Sequence, residues 1–227
     1  MSITDLLADS WKAWNIHSGW ITWNLFLAFI PLALSFWLFR SKSLSRSVWW
    51  WVGFLVFIAF LPNAPYLLTD IIHLIRAIRD YYSVWIIILV LIPPHLIAIL
   101  AGFEAYVVSL INLGHYLKRQ GVAQYVLWME LITHALSAVG IYLGRFPRLN
   151  SWDVVTKPDD VVMIAIDQLT SKRPVLVMAV TFVILTVLYW MMKQVTLGLV
   201  LRFRQSRLGK STIGKNSNTD TDTSTPL

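Results

Sequence analysis

The sequence predicts an all-α fold: a polytopic membrane bundle of about five spans, with interfacial helices on its outer face. Only 14% of the 227 residues are charged and 57% are hydrophobic, whereas soluble domains are about 25% charged. Apolar runs near the roughly 20 residues that a membrane-crossing helix needs recur along the chain. Twelve tryptophans and eight tyrosines suit a protein with two membrane–water interfaces to anchor.

The first half of the chain predicts an interfacial helix and two spans. Residues 3–14 place apolar side chains opposite charged ones at helical spacing, which is typical of a helix lying in the interface. Residues 20–39 carry no charge and predict the first span, and a basic turn over residues 40–46 follows. The second span covers about 48–68 and is broken at Pro62, because proline cannot donate the helical hydrogen bond.

The second half predicts three further spans. The third covers about 84–113, and its two adjacent prolines, Pro93 and Pro94, should kink or break it. The fourth covers 122–143 and the fifth 174–195. Each is long enough to cross the hydrocarbon core.

One long loop, residues 144–173, separates the fourth and fifth spans. A capping-box pattern from Thr156 to Asp159 predicts a helix within it. Residues 1–204 then form one membrane domain. Residues 205–227 are mostly Ser, Thr, Asn, Asp and Gly, a composition that predicts a disordered cytoplasmic tail.

Charge predicts the orientation of the chain. Five spans place the two termini on opposite sides, with eleven Lys and Arg residues on the C-terminal side and eight on the N-terminal side. The positive-inside rule then predicts the N-terminus outside and the C-terminus in the cytoplasm. The net charge of +7 is therefore a feature of topology, and nucleic acid is not expected as a partner.

Several kinds of chemistry are excluded by what the sequence lacks. Without cysteine there are no disulfides and no thiolate metal sites. The start, Met1 to Asp5, has no basic segment, so a cleaved signal peptide is not expected. There is no phosphate-binding loop, nucleophile elbow, zinc-protease motif or dinucleotide fingerprint. Whether the protein is an enzyme, and which cofactor it would use, both stay open.

The broken second span is the best candidate for a working site. Its apolar run, Val48 to Leu61, has 14 residues and would rise about 21 Å as a helix, short of the roughly 30 Å hydrocarbon core. The break therefore falls at membrane depth, where irregular backbone is tolerated only if protein or a watery cavity satisfies it. The polar residues of this segment are Asn63, Tyr66, Thr69, Asp70 and His73.

Asp70 and His73 are three residues apart and face the same way on a helix. They form either a carboxylate that orients an imidazole, two ligands of an open metal site, or simply the wet face of an interfacial helix. Two ligands do not make a metal site, so no metal is predicted.

The loop after the fourth span carries the second polar group. Two arginines, Arg145 and Arg148, either hold lipid phosphates, carboxylates or Asp70 across the bundle, or act as surface anchors. An unpaired charge at a membrane mouth is costly, so one arginine should pair with Asp70 or Asp153. We therefore predict one outward-facing cluster, consisting of Asn63, Tyr66, Asp70, His73, Arg145, Arg148, Asn150 and Asp153.

A second candidate lies within the fourth span. Glu130 and His134 are four residues apart, so they are spaced to hydrogen-bond each other on one helix face. Ionisable residues in a span often mark a pathway. The alternative is that the two only hold helices together.

Three sequence pieces resemble a known family. They are Trp23 to Pro31, Phe60 to Tyr66 with Thr69, Asp70 and His73, and Gly144 to Phe146 with Arg148 to Asp153. Together they look like the bacterial integral membrane family known as domain of unknown function 1361, over roughly residues 20–195. The resemblance implies a multi-pass protein of a bacterial inner membrane, and it supplies no catalytic residue.

Three functions remain in view. A binding or assembly component is favoured, because no complete catalytic constellation is visible. A membrane enzyme acting on a lipid or envelope substrate would use Asp70, His73 and Asp153. A small transporter or proton-coupled carrier would use Glu130 and His134. Membrane lipids are the expected partners, and a protein partner or a second copy of the chain stays open.

Overall fold

The computed structural model describes residues 3–41, 46–79 and 83–216, and in these ranges the chain is helical with no strand. Five helical stretches are long and apolar enough to cross a membrane, in agreement with the predicted fold class. These stretches are Leu7–Arg40, Val48–Arg76, Val84–Arg119, Ala123–Arg145 and Lys172–Phe203.

The first helix is longer than the sequence predicted. Helix α1 (Ile3–Arg40) joins the expected interfacial helix and first span into one continuous element. No proline separates the two segments, and an isolated glycine, Gly19, does not stop a helix. Pro31 lies inside α1 without ending it.

The second apolar run breaks next to Pro62. Helix α2 (Val48–Phe60) is capped at its start by the Ser47 hydroxyl, which accepts from the Trp50 N–H. It is followed by a short helix α3 (Asn63–Tyr66), a 3-10 turn (Leu67–Asp70) and helix α4 (Ile71–Arg79). Proline lacks the N–H that a continuous helix would need there, so the chain restarts as shorter elements.

The third span accommodates its two prolines with a π-helical turn just before them. Helix α5 (Val84–Ile86) leads into a π-helical turn (Ile87–Leu91), and α6 (Ile92–Arg119) begins directly after it. Pro93 and Pro94 therefore lie in the first turn of α6, where the missing N–H groups matter least. The expected kink takes the form of this widened turn.

The remaining helices are α7 (Val126–Arg145), α8 (Asp153–Thr156), α9 (Pro158–Thr170) and α10 (Lys172–Asn216), with a 3-10 turn (Ala123–Tyr125) before α7.

Two expectations about the chain after α7 need comment. The predicted capping box does not form, because the Thr156 hydroxyl donates to the Trp152 carbonyl and the residue at the α9 cap, Lys157, has no capping side chain. Helix α10 continues to Asn216, although the sequence predicted disorder from residue 205 onwards. Residues 217–227 of that tail lie outside the described residues.

The broken segment is held at the centre of one end of the bundle. Helix α3 contacts α1, α6 and α7, while α1 also packs on α2 and α6, and α10 packs on α7. Gly140 of α7 permits a close approach to the break, since a Cβ there would lie 2.7 Å from Pro62 Cγ. The Pro62 ring therefore packs directly against the α7 backbone.

Candidate functional site

Asn63 binds the loop to the broken span. Its side-chain amide donates to the Phe60 carbonyl at 2.9 Å and to the Ser151 hydroxyl at 2.7 Å. The Phe60 carbonyl lies at the end of α2, where the helical acceptor groups lose their donors. One amide thus satisfies the interrupted backbone and also fixes the loop after α7. The sequence predicted that Asn63 needs partners, but it did not identify Ser151.

Arg145, in the last turn of α7, reaches across to the same segment. Its guanidinium donates to the Tyr66 hydroxyl at 3.3 Å and to the Thr69 carbonyl at 3.1 Å. The guanidinium carbon also lies 5.8 Å from the centre of the Tyr66 ring, within the range of a cation–π contact. Arg145 Nη1 is 3.8 Å from Asp70 Oδ1, a salt-bridge distance.

Asp70 is the most buried charged group of the segment. Its side chain is only 3% exposed, and Oδ2 accepts a hydrogen bond from the Asn24 amide of α1 at 2.9 Å. Oδ1 lies 3.8 Å from Arg145 Nη1 and 3.9 Å from His73 Nε2, and no described residue donates a hydrogen bond to it. The carboxylate therefore ties α1, α7 and α4 together.

Trp20 of α1 also belongs to this group, although its place there was not predicted from the sequence. Its indole lies 4.5 Å from the His73 ring and 5.2 Å from the His95 ring, measured between centroids. His95 Nδ1 is itself 2.7 Å from the Leu91 carbonyl, just before the prolines of α6. No signal in the sequence distinguished Trp20 from the other eleven tryptophans.

A cavity of about 310 Å³ lies on the other side of Tyr66. Its wall combines α1, the broken span, α7, the loop after α7 and α9. Of the residues that line it, Arg148 alone is charged. The lining residues are Trp23, Asn24, Leu27, Ala59, Pro62, Asn63, Tyr66, Gly140, Leu143, Gly144, Arg148, Leu149, Asn150, Ser151, Trp152 and Val161.

Arg148 has an unusual backbone and no partner among the described residues. Its φ is 61°, in the left-handed region, and it is the one non-glycine residue with positive φ in the described part of the chain. It is exposed, and it shows no hydrogen bond or ion pair to any described residue. This backbone conformation costs free energy for an L-residue. The Arg148 side chain is therefore a candidate for binding a ligand instead of stabilising the fold.

The structure divides the predicted outer cluster into parts. Asp70, His73 and Arg145 form one part, around the buried Asp70 carboxylate, and do not line the cavity, whereas Tyr66 belongs to both. Asp153 turns into its own loop, where Oδ2 accepts from the Asn150 backbone N–H at 2.6 Å. It lines a second cavity of about 290 Å³ instead.

The intramembrane pair forms different bonds from those predicted. Glu130 Oε1 accepts from the Tyr189 hydroxyl at 2.7 Å and is paired with Lys193, both on α10. His134 Nδ1 and the Tyr106 hydroxyl of α6 share a hydrogen bond of 2.7 Å. Glu130 and His134 therefore bond to neighbouring helices and not to each other. The four-residue spacing of Tyr189 and Lys193 on the last span was the available signal.

In the described ranges no group of three or more His, Asp or Glu side chains is arranged to hold a metal ion.

Comparison with known proteins gives one result. Searches of the curated proteins and of the solved structures found no match. The family model described as protein of unknown function (DUF1361) matches residues 23–187, a range that contains the residues lining the cavity, Asp70, His73, Arg145 and Glu130. Because the match covers more than half of the 227 residues, the chain belongs to the DUF1361 family.

Proposed function

We propose that this protein is a multi-pass protein of a bacterial inner membrane and that it binds a ligand in the cavity at the outer mouth of its bundle. The N-terminus is outside and the C-terminus is in the cytoplasm. Five helices of sufficient length and apolarity support the membrane assignment. The end opposite the cavity carries basic residues against the helix termini: Arg119 donates to the Phe39 and Ser41 carbonyls, as expected for an inner face.

The cavity is the observation that carries the binding function. Its volume of about 310 Å³ lies at the lower end of the range for small-molecule sites. Its wall presents polar and apolar surface in comparable amounts, so a ligand that carries both kinds of group would fit it. Arg148 contributes a charge that no described side chain neutralises.

The two alternative functions have less support. Catalysis by Asp70 and His73 would need both groups to face a substrate, yet neither lines the cavity, and the Asp70 side chain is 3% exposed. Transport through Glu130 would need a polar path, yet Glu130 is closed off by Tyr189 and Lys193. Among the described residues, neither of the two cavities named above is lined by Glu130, Tyr189 or Lys193.

The orientation is tested by labelling with a membrane-impermeant thiol reagent. The chain has no cysteine, so Ser2→Cys and Ser224→Cys each provide a single reactive group. On intact cells Ser2→Cys should be labelled and Ser224→Cys should be labelled only after lysis. The reverse pattern would contradict the proposed topology.

The binding function is tested by filling the cavity. Ala59 lies on its wall, so Ala59→Phe should displace a bound molecule, whereas Ala135→Phe adds the same bulk to an exposed position of α7. Native mass spectrometry of the purified proteins should find a co-purified small molecule on the wild type and on Ala135→Phe, and not on Ala59→Phe. Equal retention by a correctly folded Ala59→Phe protein would disprove binding in this cavity.

A further inference from the structure

We infer that the ligand of the cavity is an anionic amphiphile: a phosphate-bearing head group held by Arg148, with an apolar part against Trp23 and Leu27. This inference rests on the proposed function and specifies its ligand. The same phosphate chemistry is available from a lipid and from free phosphate, so the experiment below separates the two sources.

The charge of the cavity favours an anion. Of its lining residues only Arg148 is charged, and no carboxylate faces it. A guanidinium presents five N–H donors in a planar fork that matches the oxygens of a phosphate. A cationic ligand would meet an uncompensated positive charge in this space, and a neutral ligand would leave that charge unneutralised.

The hydroxyl groups of the cavity also favour an anion. The Tyr66 hydroxyl accepts a hydrogen bond from Arg145, and the Ser151 hydroxyl accepts one from Asn63. Each hydroxyl carries one proton and can donate it, and neither donates to an acceptor within the described part of the chain. Together with Arg148, these two groups make the cavity rich in donors, as an oxyanion requires.

The backbone conformation of Arg148 indicates a functional role for its side chain. A non-glycine residue at φ 61° is strained, and glycine would remove that strain. The Arg148 side chain contributes no hydrogen bond or ion pair to the described fold that could offset the strain. A strained residue with an unpartnered charge at a cavity is the pattern expected of a ligand contact.

The apolar wall indicates that the anion carries an apolar part. Trp23 and Leu27 of α1 line the cavity, and Trp23 is 52% exposed on the outer surface of the bundle. The wall thus continues onto the surface that would meet lipid. A free inorganic anion would gain nothing from this wall, whereas an amphiphile would bury its apolar atoms there.

Helix α9 supports a position at the height of lipid head groups. It has no buried residue and exposes Val162, Met163 and Ile166, an apolar edge typical of a helix lying in the membrane interface. Val161 of the same helix lines the cavity. The cavity therefore opens beside an element suited to that interface.

The test measures binding of three soluble probes to the full-length protein in a non-ionic detergent by isothermal titration calorimetry. The probes are dihexanoyl phosphatidylglycerol, dihexanoyl phosphatidylcholine and inorganic phosphate. We expect the anionic phospholipid to bind at least about tenfold more tightly than either other probe. One charge-assisted hydrogen bond, or the burial of one short acyl chain, is enough to give a difference of this size.

Variants assign the binding to Arg148. Arg148→Gln should weaken binding of the anionic phospholipid about tenfold or more, while Arg79→Gln, at an exposed residue of α4 that does not line the cavity, should not change it. Arg148→Gly should weaken binding equally without lowering the melting temperature of the ligand-free protein, because glycine relieves the strained φ. A merely structural role for Arg148 would instead lower the melting temperature.

Each contrary outcome has a distinct meaning. If inorganic phosphate binds as tightly as the phospholipid, the amphiphile is wrong and the site takes a free anion. If Ala59→Phe abolishes binding and Arg148→Gln does not, the inference is wrong and the proposed function stands. If neither variant changes binding, or if no probe binds and nothing co-purifies, both are wrong.

Discussion

Removing the two charges of the Asp70–Arg145 pair one at a time should have unequal effects on stability. Arg145→Met removes the donors to the Tyr66 hydroxyl and the Thr69 carbonyl and the positive charge 3.8 Å from Asp70. Asp70→Asn removes the negative charge and leaves those donors in place. Because the Asp70 side chain is 3% exposed and that of Arg145 is 21% exposed, the unpaired carboxylate should be the more costly one.

The magnitudes follow from burial. Leaving a buried charge without its partner costs about 3–5 kcal/mol, so Arg145→Met should lower the free energy of unfolding by about 3–4 kcal/mol. Arg145 without Asp70 keeps two hydrogen bonds and can reach water, so Asp70→Asn should cost about 1–2 kcal/mol. In the double variant neither charge is stranded. Its loss should fall below the sum of the single losses by about 1–2 kcal/mol.

Unfolding in mixed micelles of rising denaturing-detergent content, followed by helical circular dichroism, measures these free energies. Asn24→Ala is the matched control, because it removes a hydrogen bond to Asp70 without removing a charge, and should cost about 1 kcal/mol. If the two single losses add in the double variant to within about 0.5 kcal/mol, or if Asp70→Asn is the more damaging change, the reasoning from burial is refuted.

Three further predictions concern the rest of the bundle. Gly140→Ala places a Cβ 2.7 Å from a proline ring atom and should lower the free energy of unfolding by about 1–3 kcal/mol. A Cβ at Gly198 meets nothing within 4 Å, so Gly198→Ala should not lower it. The same unfolding assay measures both variants. Lys193→Met strands the carboxylate of Glu130 and should be destabilising; adding Glu130→Gln should restore much of the loss, and a further decrease would contradict the pairing. Deleting residues 209–227 should leave membrane accumulation unchanged in a blot of the membrane fraction, since the composition of this segment offers little apolar surface to bury; loss of accumulation would disprove this.

The sequence was informative where an interrupted helix leaves backbone groups that need hydrogen-bond partners. The short run before Pro62 predicted a break in the second span, and such a break requires polar partners. Asn63 and Arg145 meet that requirement, since the one binds the Phe60 carbonyl and the other the Thr69 carbonyl. These contacts follow from the position of prolines, which the sequence states directly.

Contacts between distant helices were not predictable in the same way. The sequence indicates that Glu130 needs a partner, but it does not state which helix lies beside α7. The i, i+4 spacing permits a bond between Glu130 and His134, yet each reaches a tyrosine on a neighbouring helix, Tyr189 and Tyr106. Which helices are neighbours depends on how the whole bundle packs, and the spacing of residues within one helix does not indicate this.

The left-handed backbone conformation of Arg148 was also not predictable from the sequence. Glycine or asparagine usually marks such a position, and here the sequence has neither. The two arginines of the loop therefore looked alike, although Arg145 serves the fold and Arg148 lines a cavity.

The π-helical turn before α6 has a consequence for how the length of this chain can vary. A π turn holds one residue more than the α-helical turn it interrupts. Deleting a residue between Ile87 and Leu91 would restore a regular helix and rotate the preceding segment by about 100°. Ile86, which is now 1% exposed and packs with Ala13 and Leu91, would leave its pocket. Relatives that are one residue shorter in this turn should therefore carry their apolar residue one position away from that of Ile86.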